Sequence, residues 1–260
     1  MNRLMICLLA LSLILCGCAD SGDTQNTEII KELNDAIDST NGQSRVAGDY
    51  LIEITVSGVT LYYAKGNIAF DREGEIAYND FSQTYMATSA VAQNYFANGK
   101  LITVEKDGVN EFERTSDQIL GKFPYSKLSS LPEDIGEISQ KNSSVGRTIE
   151  LVRKDTAAIC ESVIGKDIYT LVSVIKQPQA DKTQYSDTKC IYTVKDGRAI
   201  GCRYEFTAKL FDTPAYVPGY SVLESEYTVE ISVVAKVNYK TFGDEVEIAE
   251  YSATEDISES

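Results

Sequence analysis

The chain has 260 residues, 24 Lys and Arg against 39 Asp and Glu, a formal net charge of −15, and neither His nor Trp. With 43% hydrophobic residues it can bury a core, which excludes wholesale disorder and collagen-like or coiled-coil repeats. The acidic balance argues against a nucleic-acid partner, which needs clustered Lys and Arg, and the lack of imidazole removes Ser-His and Cys-His nucleophile pairs and histidine-ligated zinc.

Met1, Asn2 and Arg3 form a short positive start, and residues 4–15 are a nearly unbroken apolar run. That run is shorter than the ~20 residues a spanning helix needs, so it reads as a secretory signal peptide. Leu15-Cys16-Gly17-Cys18 follows, with an aliphatic residue at −3, a small residue at −1 and then Cys. This resembles the lipobox of bacterial lipoproteins; the other reading is an ordinary signal peptide whose cysteines are incidental. The resemblance implies a signal peptide over 1–17, an acylated Cys18 as the new N-terminus, and an extracytoplasmic protein anchored to the bilayer through that lipid. Residues 18–27 continue as small and polar, the composition of a flexible tether.

The folded domain is expected over 28–251. Ile29, Ile30, Leu33, Ala36 and Ile37 fall at three- and four-residue spacing, predicting an amphipathic helix over 28–38 that Asn41-Gly42 stops. The period then changes to two: Tyr50, Ile52, Ile54 and Val56 alternate with more polar neighbours. Turn signals recur at Ser57-Gly58, Lys65-Gly66-Asn67, Arg72-Glu73-Gly74, Asn98-Gly99 and Lys106-Asp107-Gly108, which predicts an antiparallel meander. Residues 116–138, broken by Phe123-Pro124 and Leu131-Pro132, read as short helical or irregular pieces, and 139–146 as a polar loop. A strand is expected over 148–152, a second helix over 156–164 with Gly165 as its cap, and an aliphatic run over 168–175. Residues 213–220 form a Pro- and Tyr-rich connection, and 252–260 an acidic, frayed tail.

Tyr227, Val229, Ile231, Val233, Ala235, Val237 and Tyr239 occupy successive odd positions, the mark of a long strand with one buried face. Upstream, two β segments flank Lys195-Asp196-Gly197. A three-residue loop there pairs Val194 with Arg198, Tyr192 with Ile200 and Cys190 with Cys202, whereas a two-residue Asp196-Gly197 loop sets Cys202 opposite Ile191. The three-residue register keeps the apolar residues on one face and is preferred. It makes Cys190 and Cys202 direct neighbours, so a disulfide between them is one expectation for an exported protein, and two free, half-buried thiols the other. Cys160 is expected to be buried on the second helix.

An enzyme would have to be built from Ser, Lys, Tyr, Asp, Glu and Cys. Ser173-Val-Ile-Lys176 and Ser186-Asp-Thr-Lys189 match Ser-x-x-Lys, but one lies in a strand-like run, the other in a polar loop, and no companion motif accompanies them. No Asp-x-Asp-x-Asp-Gly calcium loop exists, so no metal, cofactor or catalytic residue is assigned.

A lipobox, a tether, an N-terminal amphipathic helix and a long meander with an interrupting helical stretch together resemble the superfamily of the LolA and LolB lipoprotein carriers and the mycobacterial LppX and LprG lipoproteins. The resemblance is one of layout over about residues 28–250, and no binding signature carries over residue by residue. It implies a β-dominated α+β fold, a curved antiparallel sheet forming an incomplete barrel with a few helices on its concave side, and an apolar cavity for a lipid or another hydrophobic molecule. Candidate lining residues are Ile29, Leu33 and Ile37 from the helix and Tyr63, Phe70 and Tyr95 from the aromatic-rich meander; ordinary cross-strand packing is the plainer reading of each aromatic. A non-catalytic envelope scaffold that binds protein or glycan on its outer face is the alternative function.

Overall fold

The structure is a computed structural model describing residues 21–86, 88–116, 118, 127–164, 183–210 and 229–252. Alternation of apolar and polar residues decides most of it. Strands β1 (Arg45–Val56), β2 (Val59–Asp71), β3 (Ile76–Tyr85), β4 (Thr88–Ala97), β5 (Lys100–Glu105) and β6 (Gly108–Glu113) form the predicted meander. They are followed by β7 (Ile135–Ser143), β8 (Gly146–Arg153), β9 (Thr183–Tyr185), β10 (Thr188–Lys195), β11 (Arg198–Leu210) and β12 (Val229–Phe242). All twelve belong to one sheet, in the order β6-β5-β4-β3-β2-β1-β12-β11-β10-β8-β7, with β9 on β11. Every pairing is antiparallel, so the fold is a β-dominated α+β architecture with a large, open, curved sheet. The β1–β12 pairing brings the first and last described strands together in the middle of the sheet.

Helix α1 (Ser21–Asn41) packs against β11 and defines the inner face of the sheet. Ile29, Leu33, Ala36, Ile37 and Thr40 are buried along one stripe, as their spacing requires. Leu33 and Ile37 are fully enclosed, each contributing about 1.5–3 kcal/mol by leaving water. Thr40 Oγ1 lies 3.0 Å from Ala36 O and 3.1 Å from Ala199 O, so a polar residue in this stripe is satisfied by carbonyls of helix and sheet. Glu32 on the helix forms an ion pair with Arg147 on β8. The helix starts at Ser21, inside the stretch expected to be a tether: once the packed turns supply a nucleus, each further helical residue adds a hydrogen bond at little cost. Helix α2 (Thr156–Ile164) covers the predicted span.

Two-residue turns with both central residues at positive φ close β1–β2 at Ser57-Gly58, β4–β5 at Asn98-Gly99 and β10–β11 at Asp196-Gly197. Three expectations are corrected. Gly66 is no turn but lies inside β2, where a Cβ would meet Asp80 O at 2.0 Å; glycine is needed for the close approach of β3. Residues 139–146 are no loop, because β7 runs to Ser143 and pairs with β8 through a hairpin. The β10–β11 register follows neither forecast. It begins as the two-residue loop dictates, Lys195 opposite Arg198 and Val194 opposite Ala199, then shifts so that Thr193 faces Gly201. Ile200 is the extra residue, and this bulge returns Cys202, Tyr204 and Phe206 to the buried face.

The signal peptide and Cys18, the aliphatic run 168–175 with Ser173 and Lys176, the connection 213–220, and residues 253–260 of the tail lie outside the described residues.

Candidate functional site

Cross-strand partners align the inner face into rows that cross five or six adjacent strands of the sheet. One row is Leu151, Cys190, Tyr204, Ala235, Ile52 and Ala64, from β8 to β2, and every member is buried. The next is Phe206, Val233, Ile54, Tyr62 and Tyr85, from β11 to β3. Its first three members are buried, whereas Tyr62 and Tyr85 are half-buried, as is Phe81 on the same face of β3, one row beyond the Ala64–Gln83 pair. The apolar face thus continues past the part that α1 covers and ends, among the described residues, in three aromatic rings partly open to solvent.

These rings carry no charge. Burial raises the phenols of Tyr62 and Tyr85, and that of Tyr50, which shares a hydrogen bond with Asn79 in the same region. The face can therefore take an apolar guest without leaving an ion stranded.

Of the six sequence-derived lining residues, the structure brings Ile29, Leu33, Ile37 and Phe70 into one core cluster. Tyr63 and Tyr95 fall on the opposite, outer face. Alternation explains both: in β2 the even positions Tyr62, Ala64, Ile68 and Phe70 point inward, and in β4 Phe96 is buried while Tyr95 stacks on Tyr78 outside. Tyr62 shares the parity of Phe70, a signal that would have selected it over Tyr63.

All three described cysteines are buried, and Cys190 and Cys202 are free thiols. The bulge at Ile200 sets Cys190 opposite Tyr204 and Cys202 opposite Tyr192, so the direct Cys190–Cys202 pairing is corrected to a diagonal one. Desolvation pushes the Cys190 thiol up to about 12 and the Cys202 thiol also well above its ordinary value. Both remain protonated at neutral pH and are poor nucleophiles. Cys160 is buried on α2, as expected.

One buried charge was not anticipated. Arg153, at the inner end of β8, is 2% exposed and grips Asp155 in a fork, Nε to Oδ1 at 2.9 Å and Nη2 to Oδ2 at 2.5 Å. Nη1 lies 3.4 Å from both Tyr192 Oη and Ser129 O. Burial opposes the guanidinium charge, and Asp155 with Tyr192 more than offsets it, leaving Arg153 more firmly protonated than usual. The hydrogen bond from Arg153 in turn lowers the Asp155 carboxyl. With Thr188 Oγ1 donating to Thr156 Oγ1 at 2.7 Å and Thr156 Oγ1 donating to Ser186 O at 2.7 Å, this group fixes the start of α2 against β10. Sequence offers no signal for it, because Arg153 enters a strand whose inner neighbours Ile149 and Leu151 are aliphatic.

Ser186 and Lys189 do not make a nucleophile pair. Ser186 Oγ accepts from Thr207 N at 2.9 Å, and Lys189 Nζ is held by Glu150 at 2.7 Å, a contact that raises its pKa and makes it a worse base.

A separate cavity of about 340 Å³ opens on the outer face, where the segment after β12 returns along the sheet. Ile76, Tyr95 and Ile102 form its wall on β3, β4 and β5, and Glu250 and Tyr251 close it from the C-terminal side.

No family model matches the chain, and no curated protein matches it. Among solved structures the chain is similar to the lipoprotein LppX of Mycobacterium tuberculosis, with 8% identity and a TM-score of 0.43 over 86% of this chain and 99% of that one. It is also similar to a LolA-superfamily protein of Nitrosomonas europaea, with 9% identity and a TM-score of 0.27 over 87% of this chain and 94% of that one.

Proposed function

We propose that the protein is a non-enzymatic, extracytoplasmic bacterial lipoprotein, tethered to the membrane through acylated Cys18, whose inner sheet face binds a lipid or another hydrophobic molecule. The observation that carries the binding reading is the uncharged inner face that ends in Tyr62 and Tyr85 and, four residues along β3, in Phe81, continuous with the core yet half-buried. Affinity on such a face comes from apolar area removed from water, about 25 cal/mol per Å², rather than from specific polar contacts. The anchoring reading is supported by the apolar run of residues 4–15 and by Leu15-Cys16-Gly17-Cys18.

A fluorescent fatty-acid analogue tests the binding reading. The mature chain binds it in competition with unlabelled fatty acid, Phe81→Asp and Tyr62→Asp weaken binding at least about tenfold, and Tyr63→Asp, on the outer face, leaves it unchanged. Equal effects of Tyr62→Asp and Tyr63→Asp, or no competition, contradict the assignment.

A further inference from the structure

We propose that the outer-face cavity between β3–β5 and the C-terminal segment is a site for a small organic cation of the trimethylammonium type. Two tyrosine rings frame it: Tyr95 and Tyr251 have centroids 5.7 Å apart and planes tilted by 56°. Tyr78 backs Tyr95 at 5.1 Å and 48°, so the three rings make a bent wall rather than a flat stack. The faces of such rings carry negative electrostatic potential, which attracts a cation within about 6 Å of the centroid. Ile76 and Ile102 supply the apolar contacts that methyl groups on nitrogen require.

The charge around the cavity has the complementary sign. Glu250 lines it, is exposed, and has no ion-pair partner among the described residues. Lys100, the one cationic lining residue, has its ammonium 2.6 Å from Glu111 and feels Glu113 as well, so it adds little net positive field. The whole chain is at −15, which raises the local concentration of cations and disfavours anions. A compact alkylammonium fits the cavity, whose volume of about 340 Å³ lies near the lower end of ligand pockets.

The site is built from residues roughly 150 positions apart, and Val246, in the segment that leads to its far wall, is 2% exposed. It is independent of the inner-face reading, because alternation along β3–β5 puts the two on opposite sides of the sheet.

The test is calorimetric titration of the mature chain with choline, with its uncharged isostere 3,3-dimethylbutan-1-ol, and with glycerophosphocholine. Choline binds, and the isostere binds at least about tenfold more weakly, because only the cation gains from ring faces and carboxylate. Tyr251→Ala weakens choline about tenfold and Glu250→Gln a few-fold, while Tyr251→Phe, which keeps the ring, binds as the parent does. Binding of choline alone assigns a free small cation, and binding of glycerophosphocholine as well assigns a cationic headgroup. No choline binding, equal binding of choline and the isostere, or an unchanged affinity in Tyr251→Ala overturns the proposal.

Discussion

Tyr62 and Tyr63 are adjacent in the sequence and lie on opposite faces of β2: Tyr62 packs against the core and pairs with Ile54 and Tyr85, while Tyr63 points outward between Glu53 and Thr84. This one-residue difference separates the proposed hydrophobic face from the solvent side, and it makes the pair the internal control for any binding experiment.

The fork between Arg153 and Asp155 holds a buried charge. Asp155→Asn leaves that guanidinium without its counterion and is expected to cost roughly 2 kcal/mol, below the ~3–5 kcal/mol of a fully buried pair because Asp155 remains partly in water. The folded carboxyl sits below its ordinary value, so the stability it contributes is complete above about pH 4 and is lost as pH falls through the folded value. Urea unfolding at neutral pH and at successively lower pH checks both points, and the difference between the two proteins should shrink as pH falls below about 4.

Cys190 and Cys202 behave oppositely with pH. Their folded thiols ionise far above the ~8.5 of an unfolded cysteine, so stability is fully present below that value and is lost as pH rises towards about 12, where the folded Cys190 titrates. Iodoacetamide at mildly alkaline pH should leave both unmodified in the native protein and alkylate both in urea. Rapid native-state modification of either contradicts their placement in the core.

At Gly66 the β2 and β3 backbones approach so closely that a side chain has no room. Gly66→Ala is expected to destabilise by about 2–3 kcal/mol through displacement of β3. Gly58→Ala, with φ +81 and open space around it, should cost about 1–2 kcal/mol, from backbone strain alone. Thermal or urea unfolding of the two variants distinguishes a steric cause from a conformational one.

Cys18 carries the anchoring claim. Cys18→Ala should move the protein from the membrane fraction to the soluble fraction without changing its fold, and should abolish incorporation of labelled fatty acid. A variant that stays on the membrane would mean that the apolar run of residues 4–15 itself holds the chain there.

Local periodicity made much of the architecture legible. The α1 stripe through Leu33 and Ile37, the span of α2 and the odd-numbered inward residues of β12 follow from spacing alone. What escaped depended on partners distant in sequence. Lys65-Gly66-Asn67 has the composition of a turn, and only Asp80 on the neighbouring strand shows why glycine stands there. Strand β7 is mostly exposed from Glu137 onward, so it has no alternation to read. The bulge at Ile200 repairs a mismatch between the turn and the buried face, which neither local rule predicts. In the binding regions the aromatic-rich meander was visible, but Tyr95 was assigned to the inner face, and Tyr251 joins it only through the return of the chain after β12.

Native mass spectrometry of the mature chain purified without detergent, followed by organic extraction, tests the hydrophobic-ligand claim most directly. The account predicts excess mass matching lipid, displaced by added fatty acid and absent from the Phe81→Asp variant. A clean apo mass that stays unchanged when envelope lipids are supplied would contradict it.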